Sequence, residues 1–199
     1  MEKDSYKTIS GRAKGIFKDK GSKFIALIFP IKDEKDVKTI VKDLKKEYHD
    51  ARHHCYAYRI GIGESCYRMN DDGEPSGTAG KPIYGQIVSY GLSDVLIVVI
   101  RYFGGTLLGV SGLINAYRNA AYDGINNSVI VVKTIKKVLK IRFKYELMNK
   151  VMRIIKEQEL DIKKQDFMED CQLELGVRTS KYETVCGIFR KTYGVEMLN

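Results

Sequence analysis

Residues 68–81, RMNDDGEPSGTAGK, hold the densest set of reactive groups in this 199-residue chain. Asp71, Asp72 and Glu74 lie within four positions of one another, the kind of carboxylate grouping that binds Mg²⁺ together with substrate phosphates and water. Ser76, Thr78 and the nearby backbone N–H groups offer another chemistry. They would cradle an anion if the loop runs into the N-terminus of a helix entered at Pro82. Arg68 and Lys81 flank the segment and would neutralise such an anion. A solvated turn with a few local caps is the third reading, and composition leaves all three open.

Residues 101–112, RYFGGTLLGVSG, form the second such group. Gly104 and Gly105 between a buried strand and a helix can bring backbone amides to a phosphate or carboxylate, with Arg101 as counter-charge and Ser111 as the helix cap. The segment has neither the GxxxxGK[ST] pattern of a phosphate-binding loop nor the GxGxxG run of a dinucleotide-binding unit. The same glycines equally serve a close crossing of strand, loop and helix. His53 and His54 could act as a general base or touch a phosphate. A packed histidine at a strand end is the plainer reading, and no HExxH-type spacing supplies a zinc site. Neither a resident metal nor a cofactor is called for, and catalysis stays open.

A net charge of +9 raises affinity for polyanions without choosing among RNA, DNA and an acidic protein. Residues 133–199 carry 15 Lys or Arg against 10 Asp or Glu. Within them Lys140, Arg142 and Lys144 alternate along a strand and would share one face, a patch for nucleic-acid phosphates if that face is open. Four cysteines without CxxC spacing suit free thiols in a reducing cytoplasm rather than a disulfide scaffold. The longest apolar run, 95–100, is far short of the roughly 20 residues that span a bilayer. The first residues, MEKDSYKTIS, lack the layout of an export signal.

These groups need elements to hold them. Residues 22–29 read as a strand. Asp33 caps a helix whose stripe is Val37, Ile40, Val41, Leu44 and Tyr48, with Lys38, Lys42, Lys45 and Lys46 on its wetter sides. A strand at 54–60 and a loop at 70–80 follow, then a short helix at Pro82 that stops at Gly91. The unbroken apolar run 94–100 predicts a central strand, and a helix restarts at Leu113. After residue 132 the rhythm changes to β-α-β-β-α-(β), a split βαβ arrangement, with Ser180 and Glu183 as a capping box for its second helix. The sequence thus predicts an α+β protein with domains at 1–132 and 133–199. The first is an α/β sandwich of two layers and the second a ferredoxin-like domain.

Three blocks carry a family resemblance: RHHCYAY at 52–58, DDGEPSGTAGKP at 71–82 and VIRYFGGTLLG at 99–109. Long and in order, they strongly resemble the signature of the IMPACT family, in its bacterial YigZ-type form, over about residues 1–130. The C-terminal part resembles the last domain of translation elongation factor G. The resemblance implies an N-terminal fold like the second domain of a small-subunit ribosomal protein. It also implies a link to translation, because eukaryotic relatives modulate translation through the activator of a starvation-responsive kinase. Their extra partner-binding module is absent from this sequence, so the kinase-pathway role is not expected here. The expectation is a binding or regulatory protein that recognises RNA, ribosomes or another anionic partner. His53, His54, Arg68, Asp71, Asp72, Glu74, Ser76, Thr78, Lys81, Arg101, Gly104, Gly105 and Ser111 would line its groove. The alternatives are a small-molecule or phosphate-handling enzyme using the two loops, and a regulator that docks a protein of the translation machinery.

Overall fold

The computed structural model describes residues 4–61, 66–167 and 170–198. The chain divides into one compact unit of residues 6–133 and a second built from 134–199 together with the segment at Asp4 and Ser5. Asp4 belongs with the second unit because its carbonyl accepts from the Ile135 N–H and its carboxylate from the Ser180 hydroxyl.

In the first unit the elements run β1 (Ser5–Ile9), β2 (Ala13–Asp19), β3 (Ser22–Pro30), α1 (Glu34–Glu47), β4 (His53–Ile60), β5 (Cys66–Asn70), α2 (Gly80–Ser89), β6 (Val95–Tyr102), α3 (Gly109–Asn126) and β7 (Ile130–Thr134). Five strands form one antiparallel sheet in the order β2-β3-β6-β4-β5, while β1 and β7 pair separately. The unbroken apolar run of β6 is explained by its central place, since both faces of the strand are covered. Ile97 and Val99 pack with Ile83, Ile87, Leu113 and Tyr117 of α2 and α3. Leu96, Val98 and Ile100 pack with Val37 and Leu44 of α1. The expected two layers are therefore joined by a third, because the apolar stripe of α1 covers the other face of the sheet. Asp33 caps α1 as its position predicts, accepting from the Lys35 and Asp36 N–H groups.

The second unit runs β8 (Lys136–Phe143), α4 (Met148–Glu157), β9 (Asp161–Phe167), β10 (Cys171–Arg178), α5 (Tyr182–Arg190) and β11 (Val195–Leu198). Its antiparallel sheet has the order β11-β8-β10-β9, the ferredoxin-like arrangement. Leu139, Ile141 and Phe143 of β8 and Leu173, Leu175 and Val177 of β10 bury one face against Val151, Ile155, Val185 and Phe189. The capping box expected at Ser180 does not form. A turn of 3₁₀ helix occupies Thr179–Lys181, and the Ser180 hydroxyl goes to Asp4 instead.

Candidate functional site

The loop between β5 and α2 is fastened by its own acids. Asp71 turns back toward α2: its Oδ1 accepts from the N–H groups of Ala79 and Gly80 at 3.0 and 2.8 Å, and its Oδ2 from Gly77 at 2.9 Å. A helix N-terminus with free N–H groups is an anion site, and here the anion is the chain's own carboxylate. Asp72 faces elsewhere. Its carboxylate takes the Lys45 ammonium at 2.7 Å and the backbone N–H of His54 at 2.7 Å. Burial works against the charged form of Asp72, yet Lys45 and the His54 N–H outweigh it and hold its pKa below the usual carboxylate value.

Glu74 goes a third way, into the core. Its Oε1 lies 2.6 Å from Arg101 Nη1 and accepts the Tyr117 hydroxyl at 2.8 Å. The Arg101 guanidinium also lies over the rings of Phe24 and Phe103, 5.5 and 5.6 Å from their centroids. Cys55 completes the cluster, with its thiol 3.0 Å from the Asp71 carbonyl and 3.3 Å from the Tyr117 oxygen. Burial raises the pKa of both the Cys55 thiol and the Tyr117 hydroxyl, so both stay protonated. The three acids thus serve three separate environments. Among the described residues no group of three or more His, Cys, Asp or Glu is placed to hold a metal ion.

The histidines serve the same loop. His53 Nδ1 lies 2.9 Å from the Asp72 carbonyl oxygen, so that nitrogen carries the proton. The His54 ring is buried on the α1 side of the sheet, where burial lowers its pKa and keeps it neutral. Thr78 also turns inward, donating to the Pro75 carbonyl at 2.6 Å. Gly104 marks a close crossing: its N–H donates to Ser22 Oγ at 3.1 Å, and a Cβ there would sit 1.9 Å from the Gly21 carbonyl carbon. Gly105 and Gly109 take positive φ values of 85° and 72°. Ser111 is exposed within the first turn of α3 and is not its cap, because the helix begins at Gly109, three residues earlier than a Ser111 cap implies.

The residues expected in one groove are therefore sorted by depth. Arg101, Glu74, Thr78 and His54 are buried. Ser76, Lys81, Gly104, Gly105, Ser111 and Arg68 reach solvent, with Arg68 on β5. Two of the exposed ones, Ser76 and Lys81, line an open groove of about 650 Å³ between α2 and α3, together with Gly77, Tyr84, Ile114 and Arg118. Sequence reading missed Tyr84, Tyr117 and Arg118. A signal for Arg118 existed: Val110, Ile114, Arg118 and Tyr122 recur every fourth residue and so share one helix face.

The basic strand of the second unit faces acids on its neighbouring strands. Lys140 pairs with Glu174 at 3.4 Å, and Arg142 makes two bonds to Glu196 Oε2 at 3.1 and 2.6 Å. Cross-strand acids from β10 and β11 thus stand beside these two partly exposed cations. Lys144 falls beyond the end of β8 and is exposed.

The family model for the Impact N-terminal domain matches residues 20–125, which include all three blocks and the groove. The chain belongs to the IMPACT family. The IMPACT family member YvyE of Bacillus subtilis (strain 168) is 33% identical over 153 residues, covering 77% of this chain and 70% of that one. The IMPACT family member YigZ of Escherichia coli (strain K12) is 38% identical over 120 residues, covering 59% and 57%. A crystal structure described as that of a hypothetical protein matches with a TM-score of 0.70 at 25% identity, covering 98% of this chain and 97% of that one. Two of the three blocks supply the contacts that fasten their loops: DDGEPSGTAGK gives Asp71, Asp72 and Glu74, and VIRYFGGTLLG gives Arg101 and Gly104. No helix of the described residues is long and apolar enough to cross a membrane.

Proposed function

We propose that this protein is a cytoplasmic binding protein linked to translation, and that it recognises RNA, in ribosomes or their components, through the α2–α3 groove. The observation that carries this reading is the groove's charge. Lys81, Tyr84 and Arg118 line it, and among the described residues no acid does. Cations and backbone at Gly77 and Gly85 suit the phosphates of a nucleic-acid strand, while Tyr84 already stacks on Tyr67. Family membership adds the link to translation.

In this reading the loop acids act at one remove. Asp71, Asp72 and Glu74 fix the path of residues 71–79 and so place Ser76 and Lys81 on the groove rim. The phosphate-handling alternative would need those carboxylates for metal or proton transfer, and they are engaged by α2, Lys45 and Arg101. Co-sedimentation of the purified chain with ribosomes tests the reading. Association that is lost after nuclease treatment supports it; association untouched by nuclease would place the partner among proteins.

A further inference from the structure

On the opposite face of the sheet, α1 segregates its charges beyond its first turn, whose Glu34 lies one turn before Lys38 and near Arg68. Lys38, Lys42, Lys45 and Lys46 fall at helical positions i, i+4, i+7 and i+8 and so share one side. Asp43 and Glu47, four residues apart, lie on the other side, toward Arg12 and Lys14 of the β2 edge. An ordinary solvated helix face alternates Glu and Lys so that i, i+4 pairs attract, whereas Lys38–Lys42 and Lys42–Lys46 are like-charge pairs that weaken the helix. Lys45 is held by Asp72. Among the described residues Lys38, Lys42 and Lys46 have no acidic partner within 4 Å.

These lysines rim an open groove of about 540 Å³ whose floor is Val37, Val41 and Tyr56. Arg68 adds a cation on the same side, because the register sets it opposite Tyr58, whose ring packs with the α1 core and whose hydroxyl donates to Glu34, an acid near Arg68. The floor is mostly aliphatic. Its aromatic ring, Tyr56, is half-buried, with its hydroxyl 3.5 Å from Asn70 Nδ2. A nucleic-acid strand uses flat, exposed rings for its bases, and this floor offers little of that. Aliphatic side chains beneath a cationic rim match a protein segment with apolar residues on one face and carboxylates beside them.

We propose that the α1–β4 groove is a docking surface for an acidic, amphipathic protein segment. Its apolar side chains meet Val41 and Tyr56, and its carboxylates meet Lys38, Lys42 and Lys46. The surface lies on the face of the sheet opposite α2 and α3, so an RNA and a protein partner can be held together.

The test uses the full chain and a labelled amphipathic peptide of Glu and Leu, read by fluorescence anisotropy. The unmodified chain is expected to bind it, and the double variant Lys38→Glu with Lys42→Glu to weaken it by about tenfold or more. Replacing the peptide's Leu by Ser, or its Glu by Gln, is expected to weaken binding similarly. Lys38→Gln with Lys42→Gln, a milder change at exposed positions, separates charge loss from any disturbance of the helix. Three outcomes overturn the proposal. One is binding unchanged by the charge reversal, and another is no preference for the Glu-Leu peptide over its Gln counterpart. The third is tighter binding of a single-stranded RNA oligonucleotide lost on the same reversal, which would make this a nucleic-acid surface. Lys81 and Arg118 take no part in this test, so it stands or falls apart from the reading of the α2–α3 groove.

Discussion

Arg101 Nη1 lies 2.6 Å from Glu74 Oε1, with both side chains almost fully buried. A charge taken out of water is tolerated only with its partner in place, so this pair fixes the loop of residues 71–79 to the end of β6. The Tyr117 hydroxyl on the same carboxylate oxygen ties α3 to the same point. Strand, loop and helix thus meet at one carboxylate.

Glu74→Ala or Arg101→Ala, each leaving one buried charge unpaired, should destabilise the protein by about 3–5 kcal/mol. Replacing both, as Glu74→Ala with Arg101→Ala, should cost clearly less than the two single losses added together. Urea unfolding of the four proteins measures the coupling. Additive losses would show that the two side chains do not depend on each other.

His54 and Asp72 give stability a pH dependence of definite sign. Burial depresses the folded pKa of His54 below its ordinary 6.5, so the unfolded chain takes up the proton first. Stability then falls as pH drops through 6.5 toward the lower folded value. Asp72 acts further down: its folded pKa is also depressed, so its contribution is present above 3.8 and lost as pH falls through the folded value. Thermal unfolding between pH 7.5 and 5 should show a decline that His54→Phe flattens, while Asp72→Asn should flatten the decline below pH 4.

The glycines of the 103–109 loop should rank by space. At Gly104 a methyl group would collide with the Gly21 backbone, a fault that side-chain movement cannot relieve. At Gly105 the space is open and only the positive φ opposes a side chain. Gly104→Ala should therefore cost more than Gly105→Ala, whose strain is about 1–2 kcal/mol. Equal melting temperatures for the two variants would contradict the close crossing.

Strands and helices were legible where periodicity met a clear signal. Asp33 marked the start of α1, and the unbroken apolar run marked β6 as central. The ferredoxin-like unit followed from alternation in β8 and β10. What stayed hidden depends on partners distant in sequence. Asp71 to Gly80 is a contact within one loop, yet Glu74 meets Arg101 27 positions on and Tyr117 43 positions on. An acid-rich loop looks the same in sequence whether its carboxylates face solvent, a metal or an arginine. The basic strand hid its partners for a related reason. Lys140 and Arg142 share a face by alternation, but the acids beside them, Glu174 and Glu196, come from other strands.

Binding at the α2–α3 groove is tested most directly by the salt dependence of affinity for a short single-stranded RNA. Each phosphate neutralised on a single strand contributes about −0.7 to the slope of log affinity against log salt concentration. Lys81→Ala with Arg118→Ala should lower affinity at every salt concentration and make the slope shallower by about 1.4. Parallel lines, with affinity and slope unchanged from the unmodified chain, would contradict the account.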